Sequence, residues 1–181
     1  MRFALGSTAV FCVVAERGRR YGAPVDAPAL DELMALALEE AAAAAGHGDV
    51  PVGAVVAGPD GTVLARRHNE RELVGDPTAH AELLALRDAA TRLGRWRLDG
   101  CVLVSTLEPC PMCAGAALAA RITTVVFGAA DPKAGACGSL YNLGSDPRLN
   151  HAMAIVGGVR AEDAGTLIRR FFAERRSPAE P

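Results

Sequence analysis

His80-Ala81-Glu82, followed further along by Pro109-Cys110-Pro111-Met112-Cys113, brings together the residue types that could do chemistry in this chain. One imidazole and two thiolates, the latter spaced Cys-x-x-Cys, make three ligands for a borderline-soft metal. Zinc with its fourth position left to water fits them. Three protein ligands leave the site open. Glu82, two residues past the histidine, is then placed to move protons for that water instead of binding the metal. Two other readings compete. A redox Cys-x-x-Cys pair needs neither the histidine nor the carboxylate. A closed structural zinc site needs a fourth ligand, and Cys12, Cys101, Cys137, His47, His68 and His151 all stand at spacings unlike those of a zinc finger. On position alone Glu82 reads as a first-turn glutamate favoured by the helix dipole. Its register with His80 and the cysteine pair points to proton transfer.

The elements around these residues can be read from their periodicity. Asp26 can cap a helix with Leu30, Leu33, Met34, Ala37, Leu38 and Ala41 on one stripe, ending at Gly46. Val52 to Ala57 and Thr62 to Ala65, joined by Gly58-Pro59-Asp60-Gly61, read as a hairpin. A polar loop from Arg66 to Gly75 leads to Asp76-Pro77-Thr78, which opens a helix with Leu83, Leu86 and Ala90 on its core stripe. Strands follow at Cys101 to Thr106, Thr123 to Phe127 and Met153 to Val156, with a helix at Cys110 to Ala120 and a last one from Ala161 to Arg176. Helices alternating with strands around one sheet give an α/β fold, a three-layer α/β/α sandwich on a five-stranded mixed sheet. In that layout the segments carrying His80 and the cysteines return to one edge of the sheet. Two helix N-termini converge there, and their free N–H groups favour thiolate over thiol. Pro111 at the start of its helix costs no hydrogen bond.

Bulk properties set modest bounds. The chain has 181 residues, half of them hydrophobic, which is enough for one domain with a core. A net charge of −2 neither announces nor excludes a nucleic-acid partner, since a local basic stripe can act within a neutral total. Of the 19 basic residues only Lys133 is lysine, so the arginine runs reflect compositional bias and the lone lysine carries more information. Five cysteines, two of them metal-like, form no disulfide framework and fit a reducing cytoplasm. Phe3 to Ala15 mimics a short signal sequence, but Gly6-Ser7-Thr8 breaks it and arginines crowd after it. Residues 1–27 are therefore expected to be a disordered extension or the result of a start assigned too early, residues 28–176 the domain and 177–181 a flexible tail. No stretch reaches the roughly 18 consecutive apolar residues of a membrane helix.

Beyond the zinc pattern, several further segments stand in a familiar order. Pro51-Val52-Gly53-Ala54-Val55-Val56, His68-Asn69-Glu70, Asp76 to Glu82, Thr106-Leu107-Glu108-Pro109-Cys110 and Val126-Phe127-Gly128-Ala129 are among them. Asp131-Pro132-Lys133-Ala134-Gly135-Ala136, Gly138-Ser139, Asn150-His151 and Phe171-Phe172 complete the set. From about Leu30 to Arg176 the chain resembles bacterial tRNA adenosine deaminases, of the zinc-dependent cytidine/deoxycytidylate deaminase superfamily. The resemblance implies hydrolysis of a wobble adenosine to inosine by hydroxide generated at one zinc, with the base flipped out of its loop. It implies His80, Cys110 and Cys113 as zinc ligands and Glu82 as proton shuttle. Asn69 would hydrogen-bond the base, Val52 would pack on it, and Asp131 and Lys133 would meet the anticodon backbone and ribose. Phe172 would touch the bound tRNA anticodon loop. A cytoplasmic homodimer is implied as well. The segment before Leu30 departs from the pattern, and the tail lacks the lysines that some relatives carry. A deaminase of free guanine, cytosine or nucleosides, and a non-catalytic zinc-stabilised interaction domain, are the alternatives.

Overall fold

The protein is described here by a computed structural model covering residues 2–5, 8–13 and 27–176. Two strands, β1 (Arg2–Leu5) and β2 (Thr8–Val13), precede the long helix α1 (Ala27–Gly46). The hairpin of β3 (Gly53–Ala57) and β4 (Val63–His68) leads into the short helix α2 (Arg71–Val74), then α3 (Ala81–Leu93). The chain continues through β5 (Val102–Leu107), α4 (Pro111–Ala119), β6 (Thr124–Ala129), β7 (Ala154–Gly157) and α5 (Ala161–Arg176).

The strands lie in one sheet in the order β1-β2-β7-β6-β5-β3-β4. β5, β6 and β7 run parallel, while β3 pairs antiparallel with both β4 and β5. These five form the mixed sheet expected between residues 28 and 176. β1 and β2 extend it antiparallel from its β7 edge, so the sheet has two strands more than expected. The rest of the 1–27 extension, including the expected cap Asp26, and the tail 177–181 lie outside the described residues.

Helices α1 and α5 cover one face of the sheet, and α3 and α4 the other. The central strands are therefore apolar on both sides, and alternate residues serve different cores. Ala54, Val56, Leu103 and Val125 pack with α3 and α4, whereas Val55, Val104 and Val126 pack with Leu30, Leu33, Met34 and Ala37 of α1. The α3 stripe differs from expectation. Its buried residues are Ala81, Glu82, Ala85, Leu86 and Ala89, with Leu83 only half-buried. Small side chains let this helix lie close to the sheet. The expected loop from Arg66 to Gly75 is instead the end of β4 followed by α2.

Close approach also explains Gly53. A Cβ there would lie 2.0 Å from the Ala37 carbonyl oxygen and 2.6 Å from the Ala41 nitrogen, both backbone atoms of α1. No rotamer can relieve that overlap. Gly53→Ala is expected to lower stability by about 3 kcal/mol, the upper end of ordinary overpacking. A urea midpoint equal to that of the parent would contradict this close packing.

Candidate metal centre

Strand β5 ends at Leu107, and Glu108-Pro109-Cys110 leads directly into α4. Cys110 is the N-cap of α4, and His80 is the N-cap of α3. Neither position carries a capping side-chain hydrogen bond. Serine, threonine, asparagine or aspartate at such a site would contribute about 1 kcal/mol, so these two caps are given over to another task. Pro111 opens α4, and Cys113, fully buried, sits one turn beyond Cys110.

His80 Nδ1 lies 3.8 Å from Cys110 Sγ and 3.5 Å from Cys113 Sγ, and the two sulfurs are 3.7 Å apart. Tetrahedral zinc with Zn–S near 2.3 Å and Zn–N near 2.05 Å requires S···S of about 3.8 Å and S···N of about 3.6 Å. The three atoms thus fit one face of a zinc tetrahedron, with Nδ1 the nitrogen that His80 would offer. Among the described residues this is the one cluster of at least three such donors close enough to share an ion. The electrostatics agree. Hydrogen bonds from Cys113, and from His80 after it, lower the Cys110 thiol to about 4 against the opposing effect of burial, the direction that favours a metal ligand. The Cys113 thiol is raised by its bond to Cys110 and by burial. His80 is raised by its partner Cys110.

Glu82 follows in the first turn of α3 and is 3% exposed. Its Oε2 has no hydrogen-bond partner, and burial raises its carboxyl above the ordinary carboxylate range. A pocket of 180 Å³ opens beside it, lined by His80, Glu82 and Cys110 together with Val50, Val52, Asn69, Arg71, Glu108 and Asp131. That is smaller than the roughly 300–1,000 Å³ of sites for drug-sized ligands, and suits one planar base. Asn69 donates Nδ2–H to the Val50 carbonyl at 3.3 Å, which leaves its buried Oδ1 without a partner. Val52 lies in the wall.

Of the residues expected at the site, His80, Cys110, Cys113, Glu82, Asn69, Val52 and Asp131 are brought together. Lys133 is exposed two residues beyond Asp131 and is not part of the wall. Phe172 stands on α5, in the layer opposite α3 and α4, 44% exposed and edge-on to Phe171. Two charged wall residues, Arg71 and Glu108, carried no assigned role in the sequence reading. Arg71 reaches the rim because Asp49, fully buried, accepts the Glu72 and Leu73 N–H groups at 2.8 and 3.0 Å and so anchors α2. The arginine-rich composition hid it. Glu108 was visible only as part of the segment before Cys110.

Residues 28–129 match the cytidine and deoxycytidylate deaminase zinc-binding region family. A tRNA-specific adenosine deaminase of Bacillus subtilis is 48% identical over 147 residues, covering 81% of this chain and 91% of the relative. A tRNA(Ile)-lysidine synthase of Deinococcus deserti is 50% identical over 155 residues, 86% of this chain but only 28% of that much longer protein. Among solved structures, one from work on A-to-I editing by tRNA deaminases at the wobble position of transfer RNA superposes with a TM-score of 0.72. It is 42% identical and covers 75% of this chain and 98% of its own.

Proposed function

Because the chain belongs to the cytidine and deoxycytidylate deaminase zinc-binding family, and within it to the tRNA-specific adenosine deaminases, we propose that it hydrolyses the wobble adenosine of a tRNA anticodon to inosine. The observation that carries this reading is the pair of buried, partnerless acceptors facing one small pocket beside the metal ligands, Glu82 Oε2 and Asn69 Oδ1. A polar oxygen left unpaired in a core costs stability, and two in one base-sized pocket await a ligand.

Zinc, when bound by His80, Cys110 and Cys113, supplies hydroxide at neutral pH by acidifying water. Glu82 does the remaining proton work. Its carboxylate takes a proton from the attacking water and gives it to the ring nitrogen next to C6 as the C6–O bond forms, then takes the proton left on that oxygen and gives it to the amine as the C6–N bond breaks. Adenosine and water thus give inosine and ammonia. Burial raises the Glu82 carboxyl, the direction that suits a group serving as base and then as acid. Asn69 offers a free acceptor and, on Nδ2, a second hydrogen, so it can hold a polar edge of the flipped base while Val52 packs on its face. The deaminase domain is assigned to residues 28–176.

The tRNA reading draws on the pocket rim, where Arg71 and Asp131 stand with Lys133 beside them. A free base offers no backbone for such groups. Rapid turnover is expected on an anticodon stem-loop with adenosine at the wobble position, against negligible turnover of free guanine, cytosine or adenosine. Rapid release of ammonia from a free base with the stem-loop untouched would replace this reading with that of a free-base deaminase. Lys133→Ala is expected to weaken stem-loop binding and to reduce the salt slope by about one phosphate. An unchanged slope would remove Lys133 from the interface. Phe172 is assigned a contact with the loop on the family resemblance alone.

A homodimer is proposed as well. Leu73 and Val74, beside Arg71, are 55% and 57% exposed, and Leu140 and Tyr141, just past Ser139, are 52% and 58% exposed. Large apolar groups left bare this near the pocket walls in sequence suit a second copy of the chain. Light scattering at the mass of one chain would contradict the dimer. With tRNA as substrate the protein is placed in the cytoplasm. No helix among the described residues is long and apolar enough to cross a membrane.

A further inference from the structure

We propose that Glu108 is a positioning residue, a buried carboxylate around which the substrate-facing loop from Asp131 to Ser139 is folded. It stands at the junction of β5 and α4, two residues before the ligand Cys110, and is 2% exposed. Its partners all come from that loop. Oε1 accepts the backbone N–H of Cys137 at 3.0 Å and of Ser139 at 2.9 Å, and Oε2 accepts that of Asp131 at 3.1 Å and the Ser139 hydroxyl. Four donors on one carboxylate occupy all its lone-pair sites, which leaves no free oxygen for a metal or a substrate. Glu108 therefore acts through the loop.

The loop is closed tightly on this group. A Cβ at Gly135 would lie 2.4 Å from the Glu108 carboxyl carbon and from its Oε2, and 2.6 Å from the Asp131 carbonyl. Only a hydrogen fits there. The Ala136 N–H also donates to the Pro109 carbonyl at 2.9 Å, so the loop is fastened to both residues that lead into Cys110. At its start, Asp131 Oδ1 accepts the N–H groups of Lys133 and Ala134 at 2.9 and 3.2 Å, which fixes the turn bearing Lys133. One side chain thereby ties the base-sized pocket, whose wall includes Glu108 and Asp131, to the lysine that meets the backbone of a bound strand. Glutamine cannot replace it. At the Oε1 position its amide nitrogen would face two N–H donors, and at the Oε2 position one N–H donor, with the Ser139 hydroxyl forced to turn and accept.

This inference rests on the tRNA reading for the identity of the strand, and its test is scored against the parent enzyme. Activity of the parent on the anticodon stem-loop is established first, so failure there counts against the substrate and not against Glu108. Glu108→Gln and Gly135→Ala are then compared with the parent by three measurements on the zinc-loaded chain. The expected result is unchanged zinc content, KM for the stem-loop raised at least tenfold with kcat within about threefold, and faster hydrogen exchange at the Asp131, Cys137 and Ser139 amides. Ser139→Ala, which removes one donor and leaves the carboxylate in place, should shift KM in the same direction by a smaller factor. If Glu108→Gln does not fold, Gly135→Ala and Ser139→Ala decide alone. A fall in kcat at constant KM, loss of zinc, or parental KM in Gly135→Ala would each overturn the positioning role.

Discussion

Replacing Glu82 with alanine is expected to cut turnover of the stem-loop by roughly three orders of magnitude or more, within or above the 10²–10⁴-fold typical of a positioned acid–base group. Two properties should survive. Zinc should remain at one per chain, because Glu82 is not among the three atoms that form the tetrahedral face. Stem-loop affinity should stay within a few fold, because Arg71, Asp131 and Lys133 are untouched. Turnover near that of the parent would remove the proton shuttle from the mechanism. A loss of zinc along with activity would mean that Glu82 supports the metal instead.

The second large effect concerns the ligands. Cys110→Ala or Cys113→Ala should leave well under one zinc per chain and abolish turnover, while Cys101→Ala and Cys137→Ala should keep both. Geometry separates the two bystanders from the ligands: among the described residues the donor atoms of His80, Cys110 and Cys113 lie within reach of one ion, and Cys101 and Cys137 are not in that cluster. Elemental analysis of the four purified variants checks this directly. Zinc loss from the Cys137 variant would indicate a closed, structural site in place of an open one.

The contrast between Cys110 and Glu108 shows what could be read from the sequence and what could not. The metal ligands are legible because zinc demands particular side chains at particular spacings, and the strand-to-helix register then brings them to one point. Helix α1 and helix α5 were legible for a similar reason, since a 3.6-residue apolar period and the boundaries at Gly46 and Ala161 are local features. Glu108 binds backbone N–H groups about thirty residues away, and backbone donors leave no mark on residue type. Helix α2 escaped for the same reason. Its four residues have no periodicity, and it is held by Asp49 from 23 residues upstream. On α3 the stripe was read as Leu83, Leu86 and Ala90; Leu86 is buried, whereas close packing on the sheet buries Ala81, Ala85 and Ala89 and leaves Leu83 and Ala90 half-buried. Strands β1 and β2 lie in an apolar stretch that was weighed for export, and they are defined by the pairing of β2 with the distant β7 and of β1 with β2.

The most direct measurement of the central claim uses an unmodified tRNA transcript with adenosine at the wobble position. The zinc-loaded protein is incubated with it, and inosine is read position by position as guanosine in the complementary DNA. Conversion at the wobble position, absent when that base is replaced and absent with the Glu82→Ala protein, is the predicted result. A transcript left unedited by zinc-replete, folded protein, or edited equally at adenosines elsewhere in the tRNA, would contradict it.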